Sequence, residues 1–95
     1  MDREELIKLI QTKEIIGVDL SGQKLEKIDF SGCRIERTSF KGCEMTHCRF
    51  RNAKISWSDF RYAEIQHGTF EGAEIEFSDF YRAFIDGVVI FSGSQ

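Results

Sequence analysis

Proline is absent from the 95-residue chain, and tryptophan occurs once. No apolar run approaches the ~20 residues that a membrane-spanning helix requires, so no membrane association is expected. Positive charge is not in excess: 13 Lys and Arg stand against 16 Asp and Glu, a formal net charge of −3. Nucleic-acid binding depends on a basic patch that displaces counterions, so direct binding of nucleic acid is not expected. The whole acidic surplus lies in residues 51–95, with seven acids against four bases, whereas residues 1–50 hold nine of each. Cys33, Cys43 and Cys48 form no CxxC pair. An odd count argues against a disulfide framework and leaves them as small buried apolar residues. The opening stretch MDREELIKLI lacks the basic start and apolar centre of a signal peptide, and a cytoplasmic location is the expectation. There is also no Gly-rich phosphate loop, no nucleophile–base constellation and no specific metal-ligand spacing. The chain is therefore expected to be no enzyme, with no catalytic, cofactor-binding or metal-ligating residue and no cofactor.

What the sequence has in quantity is phenylalanine, nine residues, and they are placed periodically. Stepping by five from Leu20 meets Leu25, Phe30, Ile35, Phe40, Met45, Phe50, Ile55, Phe60, Ile65, Phe70, Ile75, Phe80, Ile85 and Ile90 without a failure. Two residues before most of these centres stands a small side chain, such as Cys33, Thr38, Ala53, Ser58, Ala63 or Gly68. The remaining positions are mostly polar, charged or glycine. On a helix, centres five apart would scatter around the axis by about 140° per step. On one straight strand they would fall on alternate faces. A bend in every pentad removes both difficulties. The centre and the small residue then point inward, the neighbours of the centre point outward, and the fifth residue turns a corner. Gly22, Gly32, Gly42, Gly72 and Gly87 occupy that corner, where a turn tolerates glycine best.

From Phe30 to Phe80, phenylalanine recurs every ten residues with an aliphatic side chain between. A three-sided coil would repeat every fifteen residues and stack Phe on Ile; a four-sided coil repeats every twenty and stacks like on like. The four-sided coil is the one expected, with Leu20, Phe40, Phe60 and Phe80 on one wall and Phe30, Phe50 and Phe70 on the opposite wall.

The stretches CRFRNAKISWSDFRYAEI and GTFEGAEIEFSDFYRAFI look like tandem A(D/N)Lxx pentapeptides. From about residue 18 to residue 90 the chain resembles the pentapeptide-repeat proteins. That resemblance implies an all-β solenoid: a right-handed quadrilateral β-helix of about four 20-residue coils. A bacterial source is also expected. Residues 17–91 are assigned to this β-helix, residues 92–95 to a tail, and residues 1–16 to a capping α-helix and lead-in. In that helix Asp2 is the expected N-cap, Glu5 completes a capping box, and Leu6, Ile7 and Ile10 form the apolar face.

Two surfaces are expected to bind. Phe84, Val89 and Phe91 fall at outward positions of the last coil, where earlier pentads carry charge, and nothing like the N-terminal helix follows them. A homodimer through that end is expected. Arg37, Trp57 and Phe77 share one corner and form a candidate partner surface. His47 and His67 share another corner, with Lys27 one coil further and Glu44 and Glu64 alongside. Stacking by twenty brings these together with no metal, and none is assigned. The function expected is a protein–protein interaction or scaffold module. The alternative comes from the resemblance: some pentapeptide-repeat proteins imitate duplex DNA and bind type II topoisomerases such as DNA gyrase, inhibiting or protecting them. Bases such as Lys41, Arg49, Arg51, Lys54 and Arg61 interrupt the acidic surface that such a mimic needs.

Overall fold

The computed structural model of the protein describes residues 1–87 and 91–92. Val89 and Ile90, assigned above to an interface and to the core ladder, lie outside the described residues.

Asp2 starts the helix α1 (Arg3–Gln11) by accepting the Glu5 backbone N–H at 2.9 Å, which satisfies one of the free donors of the first turn. Leu6 is fully buried, and Leu9 and Ile10 pack beside it on the core. Ile7 does not share that face; it is 41% exposed. Residues three and four apart lie together on a helix, whereas Ile7 is rotated about 100° from Leu6. Leu9 therefore takes the place that the sequence reading gave to Ile7. Among the described residues no helix is long and apolar enough to cross a membrane.

Beyond Lys13, whose left-handed φ of 64° ends the helix, the chain winds into a square coil. Two walls are sheets of short parallel strands. One consists of β1 (Glu14–Ile16), β3 (Arg34–Glu36), β5 (Lys54–Ser56) and β8 (Glu74–Glu76), hydrogen-bonded in that order. The other consists of β2 (Lys24–Glu26), β4 (Glu44–Thr46), β6 (Glu64–Gln66) and β9 (Phe84–Asp86). Every pairing in these sheets joins residues twenty apart, as Ile15 to Ile35 to Ile55 to Ile75 and Leu25 to Met45 to Ile65 to Ile85. The walls between are joined by single bridges, Asp19 to Ser39 to Asp59 to Asp79 and Asp29 to Arg49 to Thr69. On the last of these walls β7 (Phe70–Glu71) pairs with β10 (Phe91–Ser92) one residue out of step: Phe91 stands opposite Phe70. The strict five-residue phase would put position 90 there, so Phe91 takes the backbone register of a centre.

Each corner from Gly17 to Gly87 has a left-handed backbone, with φ between 48° and 83°. Six corners are glycine, which adopts this conformation freely. The others include Lys27, Arg37, His47, Trp57, Tyr62, His67, Phe77 and Arg82, each costing about 1 kcal/mol relative to glycine.

Inside the coil two columns of phenyl rings run parallel to the axis. Phe30, Phe50 and Phe70 stack at 4.7 Å. Phe40, Phe60 and Phe80 stack at 4.6 Å. Between the columns the rings meet edge to face at 5.7–6.4 Å, an arrangement that sets the positive edge of one ring on the negative face of the next. The ladder from Leu20 to Phe70 is buried throughout, Ile75 nearly so, and Phe80 is half-buried. Ile15 extends it one step below Leu20 and is fully buried. Ile85 is an exception to the expected core: it is 42% exposed, because β9 is the outermost strand of its sheet and no described coil lies over it.

The small inward residues are also hydrogen-bond donors. The Cys43 and Cys48 thiols reach the Leu20 and Leu25 carbonyls of the coil below, each at 2.9 Å. The Thr38 hydroxyl donates to Ile15 and Glu36 carbonyls, and the Ser58 hydroxyl to that of Ser56. Burial pushes the Cys43 and Cys48 thiols from 9.0 to about 11, and raises Cys33 as well. At pH 8 the folded protein should hold roughly 100-fold less Cys43 and Cys48 thiolate than free cysteine would. Iodoacetamide labelling followed by mass spectrometry should therefore leave both unmodified until denaturant is added. Rapid modification of either thiol in the folded protein would show that the coils open locally.

Candidate functional site

The core is filled by side chains, so any site must lie on the outer surface or at the open end. The corner after the β1–β3–β5–β8 sheet carries Arg37, Trp57 and Phe77 in successive coils. Trp57 and Phe77 are 63% and 69% exposed and stack at 4.6 Å with 14° between their planes. Arg37 is exposed in the same column but does not lie over the indole among the described residues. The structure thus brings two of the three predicted residues into contact as an aromatic pair, with the cation one coil away.

At the upper end, Phe84 on β9 is 54% exposed, and Tyr81 equally so. The Arg82 guanidinium lies 5.5 Å from the Tyr81 ring centre, and Tyr62 meets Tyr81 edge to face at 6.0 Å. Sequence reasoning singled out Phe84 from this cluster. Tyr81 was missed: it sits after a centre, at a position where Lys41 and Arg61 stand in the coils below, and its aromatic replacement of a charge was the available signal.

The acidic column on the wall of Leu20, Phe40 and Phe60 has a local explanation. Asp19, Asp59 and Asp79 each accept the backbone N–H two residues ahead at 2.8–2.9 Å, the side-chain contact by which aspartate favours turns. Asp59 also receives the Arg61 guanidinium at 3.0 and 2.8 Å, and this bond first of all holds its carboxyl below the usual carboxylate range. Much of the acidic character here is thus engaged in turn formation.

His47 and His67 stack at the corner diagonally opposite to Trp57, with ring centres 5.3 Å apart. Glu44 pairs with Lys24 at 3.8 Å on the outer face of the sheet. Among the described residues no group of three or more His, Cys, Asp or Glu side chains is gathered as a metal site.

Residues 14–90 match the family described as "Pentapeptide repeat region". Several solved structures are similar to the chain, three of them as follows. A pentapeptide repeat protein from the thylakoid lumen of Arabidopsis thaliana shares 24% identity over 86% of this chain and 61% of its own, with a TM-score of 0.43. Trypsin-treated QnrB1, a plasmid-mediated fluoroquinolone resistance protein, shares 17% identity over 84% of this chain and 48% of its own, with a TM-score of 0.50. HetL, a pentapeptide repeat protein of the cyanobacterium Nostoc involved in heterocyst differentiation regulation, shares 12% identity over 78% of this chain and 47% of its own, with a TM-score of 0.39. This chain thus spans between about half and three-fifths of those proteins. No curated protein matches the sequence. The five-residue phase, the twenty-residue register of the coil and the family match over residues 14–90 agree: the chain belongs to the pentapeptide-repeat family.

Proposed function

We propose that the protein is a non-enzymatic interaction module that dimerises through its last coil and binds another protein through its aromatic corner. The observation that carries this reading is the exposed aromatic surface: Trp57 stacked on Phe77, and Phe84 on an outermost strand. Large apolar side chains held out in water are stabilised by what they bury in a complex. An outermost strand such as β9 also offers N–H and C=O groups to a second copy. Light scattering at high concentration should give twice the 11.0 kDa chain mass. Phe84→Glu should weaken the dimer by about 2 kcal/mol, roughly 30-fold in Kd. A monomer at high concentration would sink the dimer, and a partner captured equally by wild type and Trp57→Ala would sink the aromatic corner.

A second reading is a duplex-DNA mimic acting on a type II topoisomerase. The likeness to QnrB1 concerns the fold, and what favours the mimic is the acidic surplus of the C-terminal half. Against it, the body measures only 27 × 22 × 21 Å, duplex DNA carries one charge per about 1.7 Å of axis, and Arg61 neutralises Asp59 within the acidic column. Supercoiling by purified gyrase, with and without a fluoroquinolone, separates the two readings: inhibition or protection selects the mimic.

A further inference from the structure

A groove of about 770 Å³ runs beside the corner formed by Lys27, His47 and His67. Arg49 and Thr69 form its other bank, and Ile28 and Gly68 its floor. We propose that this groove binds a phosphoryl anion, either inorganic phosphate or a phosphomonoester. The site is diagonally opposite to the aromatic corner and does not depend on the interaction surfaces described above.

Charge comes first. The protein as a whole carries −3, yet this groove gathers Lys27 and Arg49 against a single carboxylate, Asp29. Lys24, Arg34, Arg51 and Arg61 are all ion-paired within 4 Å. Lys27 and Arg49 have no ion pair within 4 Å among the described residues; Arg49 acts on the Asp29 carboxyl at longer range, and the lining keeps one net positive charge.

Donor chemistry comes second. The two imidazoles are stacked, 5.3 Å apart and 20° from parallel, and neither side chain has a hydrogen bond among the described residues. An imidazole keeps at least one N–H donor in either protonation state. Charge-assisted bonds of about 2.8 Å to different oxygens of one phosphorus suit donors roughly 5 Å apart. The coil step thus holds the two rings at a distance over which their N–H groups can reach different oxygens of one tetrahedral oxyanion. Arg49 adds a planar fork that matches phosphate oxygens, and Thr69 a hydroxyl.

Backbone comes third. Lys27, His47 and His67 hold φ of 55°, 57° and 54°. The neighbouring corner meets the same turn with Gly32, Asn52 and Gly72, the residue types that adopt this conformation most readily. Long donor side chains thus stand where glycine would be easier. The floor and roof are correspondingly small. At Gly87 a Cβ would come within 2.5 Å of His67 Nδ1, so a side chain there would crowd the His67 ring.

The test is an NMR titration of the full chain, following the His47 and His67 ring signals. Inorganic phosphate and O-phosphoserine are the two probes, with sodium chloride and sodium acetate at matched ionic strength as controls. Saturable shifts with either phosphate probe are expected, and the tighter of the two identifies the source of the phosphoryl group. Arg49→Gln and His67→Asn should each weaken binding about tenfold, while Lys41→Gln on another wall leaves it unchanged. Asparagine at position 67 accepts the left-handed backbone, and thermal melts verify that both variants fold. Shifts reproduced by chloride or acetate would overturn the proposal. So would the absence of saturation by either probe, or an equal loss in Lys41→Gln.

Discussion

Phe50→Ala should cost about 3–5 kcal/mol, the range for deleting a fully buried phenylalanine. Phe50 is fully buried and touches four other rings. It stacks on Phe30 and Phe70, both at 4.7 Å, and meets Phe40 and Phe60 edge to face at 5.9 and 6.2 Å. The loss joins transfer of the ring to water with the cost of the cavity left behind. Collapse around that cavity is restricted. Phe50 N–H donates to the Thr69 carbonyl at 2.8 Å, and Phe30 N–H to the Arg49 carbonyl at 2.7 Å, so the coil spacing is set by backbone bonds above and below. Small domains are stable by only about 5–15 kcal/mol, and this variant should be largely unfolded well below the wild-type melting temperature. Phe80→Ala, at the half-buried end of the other column, should cost about half as much. Urea denaturation followed by circular dichroism measures both. A loss below about 1 kcal/mol for Phe50→Ala would mean that the phenyl columns relax freely and do not act as a rigid lattice.

The two phenyl columns were legible because a square coil converts a ten-residue alternation into stacked identical rings, and no other regular structure does so. The corner positions were legible only in part. Glycines marked some of them, yet the backbone demand is the same at Lys27, Trp57 and Phe77, where the side chain hides it. The helix face was misplaced because Ile7 and Leu9 are equally apolar, and only packing on the first coil separates them. Ile85 and Phe91 show where periodicity stops being informative. A centre is buried when another coil covers it, and β10 shifts by one residue, a change that leaves no trace in the spacing of apolar residues. The hydrogen bonds of Cys43 and Cys48 to carbonyls of the coil below were likewise invisible, since small size alone accounted for those residues. The groove beside His47 and His67 was half legible. Stacking by twenty brought the imidazoles together, but Arg49 and Thr69 joined them only once the corner and the adjoining wall were seen to form two banks.

Gly68→Ala should destabilise the protein by about 2–3 kcal/mol, as overpacking does when the neighbour cannot yield. The sequence reading treated Gly68 as one more small inward residue, like Ala53 or Ala63, but a single methyl is not tolerated there. A Cβ at this position would lie 2.6 Å from the Cys48 carbonyl oxygen. That oxygen already accepts the Thr69 N–H at 3.2 Å, so moving it away lengthens a bond that joins two coils. Nothing flexible is available to give instead, since the atom the Cβ meets is backbone. Gly42→Ala provides the contrast. Its φ is +68° and no atom lies within 4 Å of an added Cβ, so only the conformational term applies, about 1 kcal/mol. The two glycines thus serve different ends, one a turn and the other a close approach between coils. Urea midpoints of the two variants decide the matter. If Gly42→Ala lost more stability than Gly68→Ala, backbone conformation at the corners would limit the fold, and the spacing between walls would be softer than the bond from Thr69 to Cys48 implies.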